Sequence, residues 1–374
     1  MTGSRAWLTR AAFTDFRNLE KTRLEFPEPG LAIVGENGQG KTNLLEGIYY
    51  MQILRSVRGA RDQDLSRFGA RGFHLGFGAV TDSPHELSVG FDAAGKVFRK
   101  KVTIDGAVMT RLSDAFGALP SVMFSPRDIQ MIAGPPSERR RFLDLVLALS
   151  SKRYLRALQH YRAALARRNA ALREAGRGRG NEATVEVWEP TLAEHGAILI
   201  CERARWVNER RSQFSALATA VGESGELLMA YRSATATETD PGAALAGLLA
   251  RQRPVDIKRG VTHSGPHRDD LSLTLDGREL RLFGSAGQQR TAAIALRILE
   301  SATLREARGM EPLLLLDDPF AELDERRSAR ILELLRSAGL GQTILVVPRA
   351  SDIPPELLDL ERRTIRDGVV GGGA

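Results

Sequence analysis

The sequence predicts an α/β protein in which a nucleotide-binding sheet and an antiparallel meander are joined to a mainly helical second lobe. Three observations predict this fold. A glycine-rich loop lies between an apolar strand and a helix, short alternating strands follow at residues 75–108, and long helical patterns occupy residues 151–222. A switch from strand periodicity to helical periodicity within one chain is typical of two differently built lobes.

The first strands are predicted by runs of alternating apolar residues at Trp7–Phe13 and Asn18–Phe26. The continuous apolar run Leu31–Val34 then predicts a strand that is buried on both faces. This buried strand leads directly into the glycine-rich loop.

The glycine-rich loop reads Gly-Glu-Asn-Gly-Gln-Gly-Lys-Thr at residues 35–42 and opens an apolar-periodic helix. This spacing matches a phosphate-binding loop, because its glycines let backbone N–H groups surround the β-phosphate. Lys41 is expected to reach the β- and γ-phosphates, and the Thr42 hydroxyl is expected to bind Mg²⁺. The residues predicted to bind the nucleotide are Gly35, Glu36, Asn37, Gly38, Gln39, Gly40, Lys41, Thr42 and Asn43.

A run of arginines follows the helix after this loop. Three interpretations stay open for it: a solvated loop, contact with the nucleotide, or contact with DNA phosphate. Its members are Arg55, Arg58, Arg61, Arg67 and Arg71.

Three short alternating runs next predict the antiparallel meander. Turn-forming sequences that contain Asp with Pro or Gly separate the runs. The runs are Leu75–Val80, Glu86–Phe91 and Lys96–Ile104.

The second lobe is predicted to be helical and basic. Ser137 is expected to cap a first helix, and residues 151–180 carry nine Lys or Arg against one acid, Glu174, at helical apolar spacing. Such a helix can lie along a phosphate backbone, although a merely solvated face is the alternative. A partner helix is predicted from about Val187 to Gly222, and both helices are too short for an extended coiled coil.

The carboxyl third carries a second anion-binding pattern and a pair of acids. Residues 284–290, Gly-Ser-Ala-Gly-Gln-Gln-Arg, open a helix whose positive end suits an anion. The apolar run Leu313–Leu316 ends in Asp317 and Asp318, as expected for a buried parallel strand with acids at its carboxyl end. Asp317 is predicted to hold Mg²⁺, and Asp318 to orient or deprotonate the attacking water.

Composition favours a polyanionic partner inside the cell. The chain has 53 Lys and Arg against 46 Asp and Glu, a formal net charge of +7, and one cysteine. Cys201 lies in a helical pattern and is expected to be buried, and the glycine-rich tail from Gly368 is expected to be disordered. No apolar stretch is long enough for a membrane span or a secretory signal, so the sequence predicts a cytoplasmic protein.

Together these motifs resemble the ATP-binding-cassette head family, in the branch that includes the structural-maintenance-of-chromosomes proteins. Within that branch the resemblance is strongest to the bacterial RecF family of replication and repair proteins, and it covers nearly the whole chain. The segments that carry the resemblance are 35–42, 134–144 (Gly-Pro-Pro-Ser-Glu-Arg-Arg-Arg-Phe-Leu-Asp), 265–271 (Gly-Pro-His-Arg-Asp-Asp-Leu), 283–291, and 316–318 followed by 321–324 (Ala-Glu-Leu-Asp).

The resemblance implies ATP and Mg²⁺ as cofactors and an ATP-dependent homodimer. In such a dimer Ser285, Gly287 and Gln288 would complete the nucleotide site of the other copy, and Lys41, Gln289 and Asp318 would act in hydrolysis. It also implies binding to duplex DNA and to junctions of single and double strands, with RecO and RecR as partners and RecA loading as the outcome. The expected domains are residues 1–122 and 290–374 for the ATP-binding lobe and 123–289 for the helical lobe.

Three positions depart from the family's pattern. Arg127 stands where relatives carry an acid, and Pro135 replaces a small residue. At the end of strand Thr343–Val347, Pro348 occupies the position of a switch histidine or small polar residue, and its side chain offers no hydrogen bond to a γ-phosphate. Because Asp318 is also shorter than the usual glutamate, we expect slow hydrolysis. The resemblance further implies that DNA stimulates it.

Two rival functions share parts of these motifs. The nucleotide-binding subunit of a membrane transporter would carry the same loop and signature, but the Arg-rich helical insertion argues against it. A DNA-binding protein with a vestigial ATP site is compatible with Pro348, and measured ATP turnover would separate it from a switch.

Overall fold

The computed structural model describes residues 4–93, 99–319, 325–337 and 341–372. Contacts divide the chain into unit 1, residues 1–128 and 296–374, and unit 2, residues 129–295. Both breaks lie a few residues beyond the boundaries expected at 122 and 289. The second break falls inside one continuous helix, α9 (Ala286–Arg308).

Unit 1 contains two large sheets. Strands are numbered along the whole chain, and those of unit 1 are β1 (Ser4–Arg5), β2 (Trp7–Phe16), β3 (Leu19–Glu25), β4 (Gly30–Val34), β5 (Gly72–Val80), β6 (Pro84–Asp92), β7 (Arg99–Ile104), β8 (Ala107–Val108), β9 (Ser121–Phe124), β13 (Met310–Glu311), β14 (Leu313–Asp317), β15 (Thr343–Val347), β16 (Glu361–Arg366) and β17 (Val369–Gly371). Helices α1 (Lys41–Ile53) and α10 (Glu325–Ser337) belong to the same unit.

The nucleotide-binding sheet has the strand order β17-β16-β4-β15-β14-β9. Its central strands β4, β14 and β15 are mostly apolar, as expected for strands whose two faces are both buried. In the register of these strands, Asp317 of β14 is paired with Val346 of β15, and Val346 is paired with Ile33 of β4. These strands are parallel, so the glycine-rich loop after β4 and the acids after β14 emerge at the same edge of the sheet.

The second sheet is the predicted antiparallel meander, with the order β3-β2-β5-β6-β7-β8. Its inner face packs aromatic side chains, with the rings of Phe13 and Phe77 edge to face at 6.1 Å. Helix α1 lies close to this face, since a Cβ on Gly47 would come within 2.6 Å of the Phe13 ring. Residues 94–98, including the start of the predicted run Lys96–Ile104, lie outside the described residues.

Unit 2 is mainly helical. Its helices are α2 (Gln130–Ala133), α3 (Pro136–Ser150), α4 (Lys152–Gly176), α5 (Glu182–Glu186), α6 (Glu189–Val221), α7 (Pro241–Arg259) and α8 (Leu280–Phe283), and its strands are β10 (Leu227–Arg232), β11 (Asp270–Leu275) and β12 (Arg278–Glu279). The predicted pair of helices corresponds to α4 and α6, which pack on each other within the unit. The described residues contain no long coiled coil, in agreement with the predicted fold class.

Three local predictions are wrong. Helix α3 begins at Pro136, so Ser137 lies inside the first turn instead of at the cap position, and no side chain caps the helix. Cys201 is exposed, since it lies off the buried stripe of α6 formed by residues such as Leu199 and Arg203. Part of the tail is ordered: β17 pairs with β16 across an Asp367-Gly368 turn, both of whose residues have a left-handed φ.

Among the described residues, none of the helices combines the length and apolar character that a membrane crossing requires.

Candidate functional site

The glycine-rich loop is shaped by two glycines with a left-handed φ, 86° at Gly38 and 108° at Gly40. Such angles strain any residue with a Cβ. Close packing adds a constraint at Gly35, where a Cβ would come within 2.5 Å of the Ile365 carbonyl oxygen. Glycine is therefore required by backbone geometry or close packing at these three positions of the loop.

Lys41 lies at the first position of α1 and folds back over the loop. Its ammonium group donates to the carbonyl oxygens of Gly35 and Glu36, the latter at 2.8 Å. Burial lowers the pKa of Lys41, and the carboxylates of Asp317 and Asp318 oppose this shift. The cation is thus held beside the loop where a phosphate would be bound.

Thr42 and Asp317 form the centre of the site. The Thr42 hydroxyl Oγ1 donates to Asp317 Oδ1 at 3.0 Å, and the Asp317 residue is 7% exposed. Burial raises the pKa of Asp317, while the Thr42 hydroxyl and Arg58 partly offset that rise. Two ligands at right angles around Mg²⁺ are roughly 2.9 Å apart, so this pair of oxygens fits adjacent positions of an octahedral ion.

An open cavity of about 400 Å³ lies in front of these residues. Asp318 enters it from a left-handed backbone with φ 45°, anchored by a hydrogen bond from its N–H to the Val346 carbonyl at 3.0 Å. The residues that line it are Asn37, Gly38, Gly40, Lys41, Thr42, Asn43, Arg58, Pro126, Asp317, Asp318 and Pro348. Pro348, the residue after β15, thus lines the same cavity as Asp317 and Asp318.

Gln39 and Asn43, two further residues of the predicted set, support the loop through hydrogen bonds. Gln39 accepts hydrogen bonds from the N–H of Asp367 at 2.6 Å, through its side chain, and of Gly368 at 2.9 Å, through its carbonyl. Asn43 donates to the side chain of Asn18 at 2.8 Å. The loop is therefore braced by the turn before β17 and by the turn after β2.

Arg58 also lines the cavity, although from the sequence it was only one member of an arginine run with three open interpretations. Its guanidinium donates to Asn43 Oδ1 at 3.0 Å and lies 3.5 Å from Glu46 Oε2. The Glu46 side chain is fully buried and also pairs with Arg17 at 3.1 Å. The signal that could have identified Arg58 was the arginine run itself, but only the fold distinguishes it from its neighbours.

The signature segment forms the start of α9. Ser285 and Gln288 cap each other: the Ser285 N–H donates to Gln288 Oε1 at 2.9 Å, and the Gln288 N–H donates to Ser285 Oγ at 3.3 Å. Ser285 is exposed and Gly287 is half-buried. The Gln289 amide donates to three carbonyl oxygens of the preceding turn, including that of Gly284 at 3.2 Å. These contacts make Gln289 a brace for the turn, and its part in hydrolysis stays a prediction.

The basic residues of α4 are divided between structure and surface. Arg168 is fully buried and pairs with Glu189 and Asp256, each at 2.8 Å. The exposed Arg162 pairs with the buried Asp144, and Arg177 and Arg179, just beyond the end of the helix, pair with Glu174. Lys152, Arg153 and Arg156 are exposed near the start of the helix. The count of basic residues therefore overstates the charge that α4 presents to a polyanion.

The segments 134–144 and 265–271, which carry part of the family resemblance, supply buried ion pairs within unit 2. Arg139 makes a bidentate pair with Asp270, with both N–O distances 2.8 Å, and its side chain is 4% exposed. Asp144 accepts from Tyr154 at 2.6 Å and pairs with Arg203 at 2.7 Å. Removing one partner of such a buried pair strongly destabilises the fold, because the other charge is left buried without compensation. The segment Ala321-Glu322-Leu323-Asp324 lies outside the described residues.

Comparison with known proteins agrees with this architecture. Residues 7–353 match the family described as the RecF/RecN/SMC N terminal domain. The protein named DNA replication and repair protein RecF of Moorella thermoacetica is 36% identical over 332 residues, covering 88% of this chain and 87% of the relative. The protein of the same name from Desulfitobacterium hafniense is 36% identical over 350 residues, covering 90% of this chain and 92% of the relative.

Solved structures give the same result. A structure described as the recombination mediator protein RecF with ATP in the RecFOR pathway superposes with a TM-score of 0.90 at 29% identity, covering 100% of this chain and 99% of that one. An Smc head domain from Pyrococcus furiosus shares the fold, with a TM-score of 0.56 at 17% identity over 98% of this chain and 95% of that one. The chain belongs to the RecF family, within the RecF/RecN/SMC group of ATPase head domains.

Proposed function

We propose that this chain is an ATP-dependent DNA-binding switch that acts in DNA replication and repair. The single observation that carries the proposal is the meeting of Thr42 and Asp317 beside the glycine-rich loop, because this is the arrangement that holds a nucleoside triphosphate with Mg²⁺. The names of the relatives, and the RecF structure with ATP, support the same reading.

Nucleotide binding would use the backbone first. The N–H groups at the start of α1 are not used within the helix and point toward an anion at its positive end. Lys41 would exchange its two carbonyl contacts for the β- and γ-phosphates. Thr42 and Asp317 would hold Mg²⁺, which neutralises charge on the phosphate oxygens.

Hydrolysis would depend on Asp318. Its carboxylate faces the cavity and would orient a water for in-line attack on the γ-phosphorus, after which the bond to the bridging oxygen breaks and ADP and phosphate leave. Pro348 offers no hydrogen bond to the γ-phosphate, so one interaction that would stabilise the transition state is missing. We expect slow turnover, and we propose that DNA increases it.

Dimerisation would be the output of ATP binding. Ser285 is exposed at the start of α9, with its backbone N–H groups at the positive end of a long helix. We propose that Ser285, Gly287 and Gln288 of one copy contact the γ-phosphate bound by another copy. ATP then stabilises the dimer by mass action, and hydrolysis releases it.

DNA would be held mainly through its phosphates. The net charge of +7 and the exposed residues Lys152, Arg153 and Arg156 favour a polyanion. Binding should therefore tolerate changes of sequence and weaken with salt. From the pathway named for the RecF structure, we propose RecO and RecR as partners in loading RecA at junctions of single and double strands.

The test is fluorescence anisotropy with a labelled duplex that carries a single-stranded tail, measured with and without ATP at two salt concentrations. Tighter binding with ATP and weaker binding at higher salt support the switch. Absence of DNA binding in both nucleotide states contradicts it. Pro348 favours one second candidate, a DNA-binding protein with a vestigial ATPase, and a turnover assay on the same samples separates the two.

A further inference from the structure

A turn at residues 66–71 presents an aromatic side chain to solvent. Phe68 has a relative exposure of 103%, the highest of the large apolar side chains among the described residues. The turn is closed by a hydrogen bond from the Ala70 N–H to the Arg67 carbonyl at 2.9 Å, and Gly69 has a φ of 85°. The Phe68 ring therefore stands at the tip of a tight turn, and within the part of the chain that the structure describes it is fully open to solvent.

The backbone of this turn is anchored on both sides. The Arg67 N–H donates to the Asp15 carbonyl at 2.7 Å, and the Arg71 carbonyl accepts from the Ala93 N–H at 2.7 Å. Ser66 forms a bridge to Phe16 at the end of β2. The anchored turn therefore holds Phe68 in the solvent. Leaving an apolar ring exposed to water costs free energy and contributes nothing to folding, which indicates a role in binding.

Two arginines, Arg67 and Arg71, flank Phe68 in the chain. Arg67 lies beside it in the chain and pairs with Glu20 at 2.8 Å, and both side chains stay largely accessible, at 42% and 63%. Arg71 follows the turn and is exposed. The pair with Glu20 places the turn next to Lys21 of β3, which is also exposed.

The basic character continues across the meander sheet. One register row runs from Lys21 through Thr14, His74 and Gly90 to Lys101. Four strand spacings span roughly 19 Å, the length of about five phosphates of one DNA strand. Burial lowers the pKa of His74, so the positive charges of this row are the two lysines.

We propose that Phe68 stacks on an unpaired base of DNA, while Arg67, Arg71 and Lys21 contact the neighbouring phosphates. An exposed aromatic ring between cations is the arrangement that binds single strands without sequence preference. Base stacking requires an unpaired nucleotide, so this turn would distinguish the single-stranded part of a junction from duplex. This inference rests on the proposed DNA-binding function and assigns the feature of DNA that one surface recognises.

The test compares Phe68→Ala, Phe68→Leu and Phe68→Trp on tailed and blunt duplexes, with 2-aminopurine at the first unpaired position. We expect Phe68→Ala and Phe68→Leu to weaken binding to the tailed duplex by about 5- to 100-fold, with blunt duplex unchanged. Phe68→Trp should retain the affinity and the quenching of 2-aminopurine. Leu358→Ala is the matched control, because Leu358 is another exposed apolar side chain of unit 1, at 50%.

Arg71→Ala should weaken binding to both duplexes and reduce the salt slope by about one. The inference is overturned if Phe68→Ala binds the tailed duplex as tightly as the parent does. It is also overturned if Phe68→Leu does so, because a contact that leucine can replace is not base stacking and points to a protein partner. If the parent binds neither duplex with or without ATP, the proposed function fails together with the inference. A parent that binds DNA and a Phe68→Ala variant that binds equally well contradict the inference alone.

Discussion

Thr42 and Asp317 lie 275 positions apart in the chain, and their side-chain oxygens are 3.0 Å apart. The contact exists because β4 and β14 flank β15 in one parallel sheet and end at the same edge. The start of α1, just beyond the loop that follows β4, thereby meets the last residue of β14, and segments far apart in the chain build one site.

Thr42→Val should remove most of the Mg²⁺ dependence of ATP binding. The variant keeps the shape of the side chain but loses the hydroxyl, so the buried Asp317 loses its partner and the metal loses a ligand. We expect roughly 10- to 100-fold weaker binding of a fluorescent ATP analogue in the presence of Mg²⁺. Thr42→Ser is the control and should bind like the parent. Equal binding by the valine variant would remove the hydroxyl from the metal site.

Arg58→Ala should weaken ATP binding and also destabilise unit 1. The substitution removes a cation that lines the nucleotide cavity and leaves the buried Glu46 with one guanidinium fewer. We expect about tenfold weaker binding and a loss of 1–3 kcal/mol in the free energy of unfolding. The measurements are ATP titration and urea denaturation.

Arg61→Ala is the matched control, because Arg61 is an exposed arginine of the same run that does not line the cavity. If both variants bind ATP equally well, Arg58 has no role in the nucleotide site.

Unit 2 should lose stability between pH 6.5 and pH 4 through His267. Its Nε2 lies 3.0 Å from the Thr262 carbonyl and must donate to it, so its Nδ1 accepts from the Tyr161 hydroxyl at 2.6 Å. Burial, with Arg268 and Arg140 nearby, lowers the pKa of His267 to about 4. The unfolded chain therefore binds a proton at a higher pH than the folded chain does, and stability falls as pH decreases through this window.

The expected loss is up to about 3 kcal/mol in the free energy of unfolding between pH 7 and pH 4. Urea denaturation at several pH values measures it. Other acids titrate in the same range, so the quantity to compare is the difference between the parent and His267→Gln, which has no proton to gain. Parallel pH profiles for the two proteins would show that His267 does not carry this dependence.

The strand, the loop and the helix at residues 30–53 could be predicted because each depends on residues that are adjacent in the sequence. An apolar run predicts the strand, the glycines predict the loop, and helical periodicity predicts the helix. Arg168 shows the limit of such reasoning. It belongs to a run of basic residues, yet Glu189 and Asp256 neutralise it in the core of unit 2. Those partners are distant in sequence, so a local count of charges cannot separate a buried arginine from one that faces DNA.

The roles of Arg58 and Pro136 were missed for related reasons. Arg58 differs from its neighbouring arginines in its contacts with Glu46 and Asn43, two side chains of α1 that only the folded structure brings to it. At the start of α3, Pro136 takes the first helical position, to which its fixed φ is suited, and Ser137 therefore lies within the helix instead of capping it. The wrong prediction of a disordered tail came from composition, which hid the Asp-Gly hairpin turn.

Asp318→Asn should separate nucleotide binding from hydrolysis. The asparagine keeps the size of the side chain and its entry into the cavity but cannot accept a proton from water. We expect unchanged ATP affinity, turnover lowered by roughly 100-fold or more, and a dimer that persists with ATP. Phosphate release and light scattering measure these quantities. Hydrolysis at the parent's rate would show that Asp318 is not the residue that activates water.

Ser285→Arg should prevent the ATP-dependent dimer and leave ATP binding by the monomer intact. Ser285 is exposed, so the larger side chain can be accommodated in water, but it would obstruct the approach of a second copy's γ-phosphate to the start of α9. Sedimentation velocity with ATP measures the dimer, and ATP titration at low protein concentration measures monomer binding. Ser285→Thr is the control, because its hydroxyl can still cap the helix and should preserve the dimer. An undiminished ATP-linked dimer of the arginine variant would contradict a site shared between two copies, and ATP would then have to act on DNA binding within a single chain.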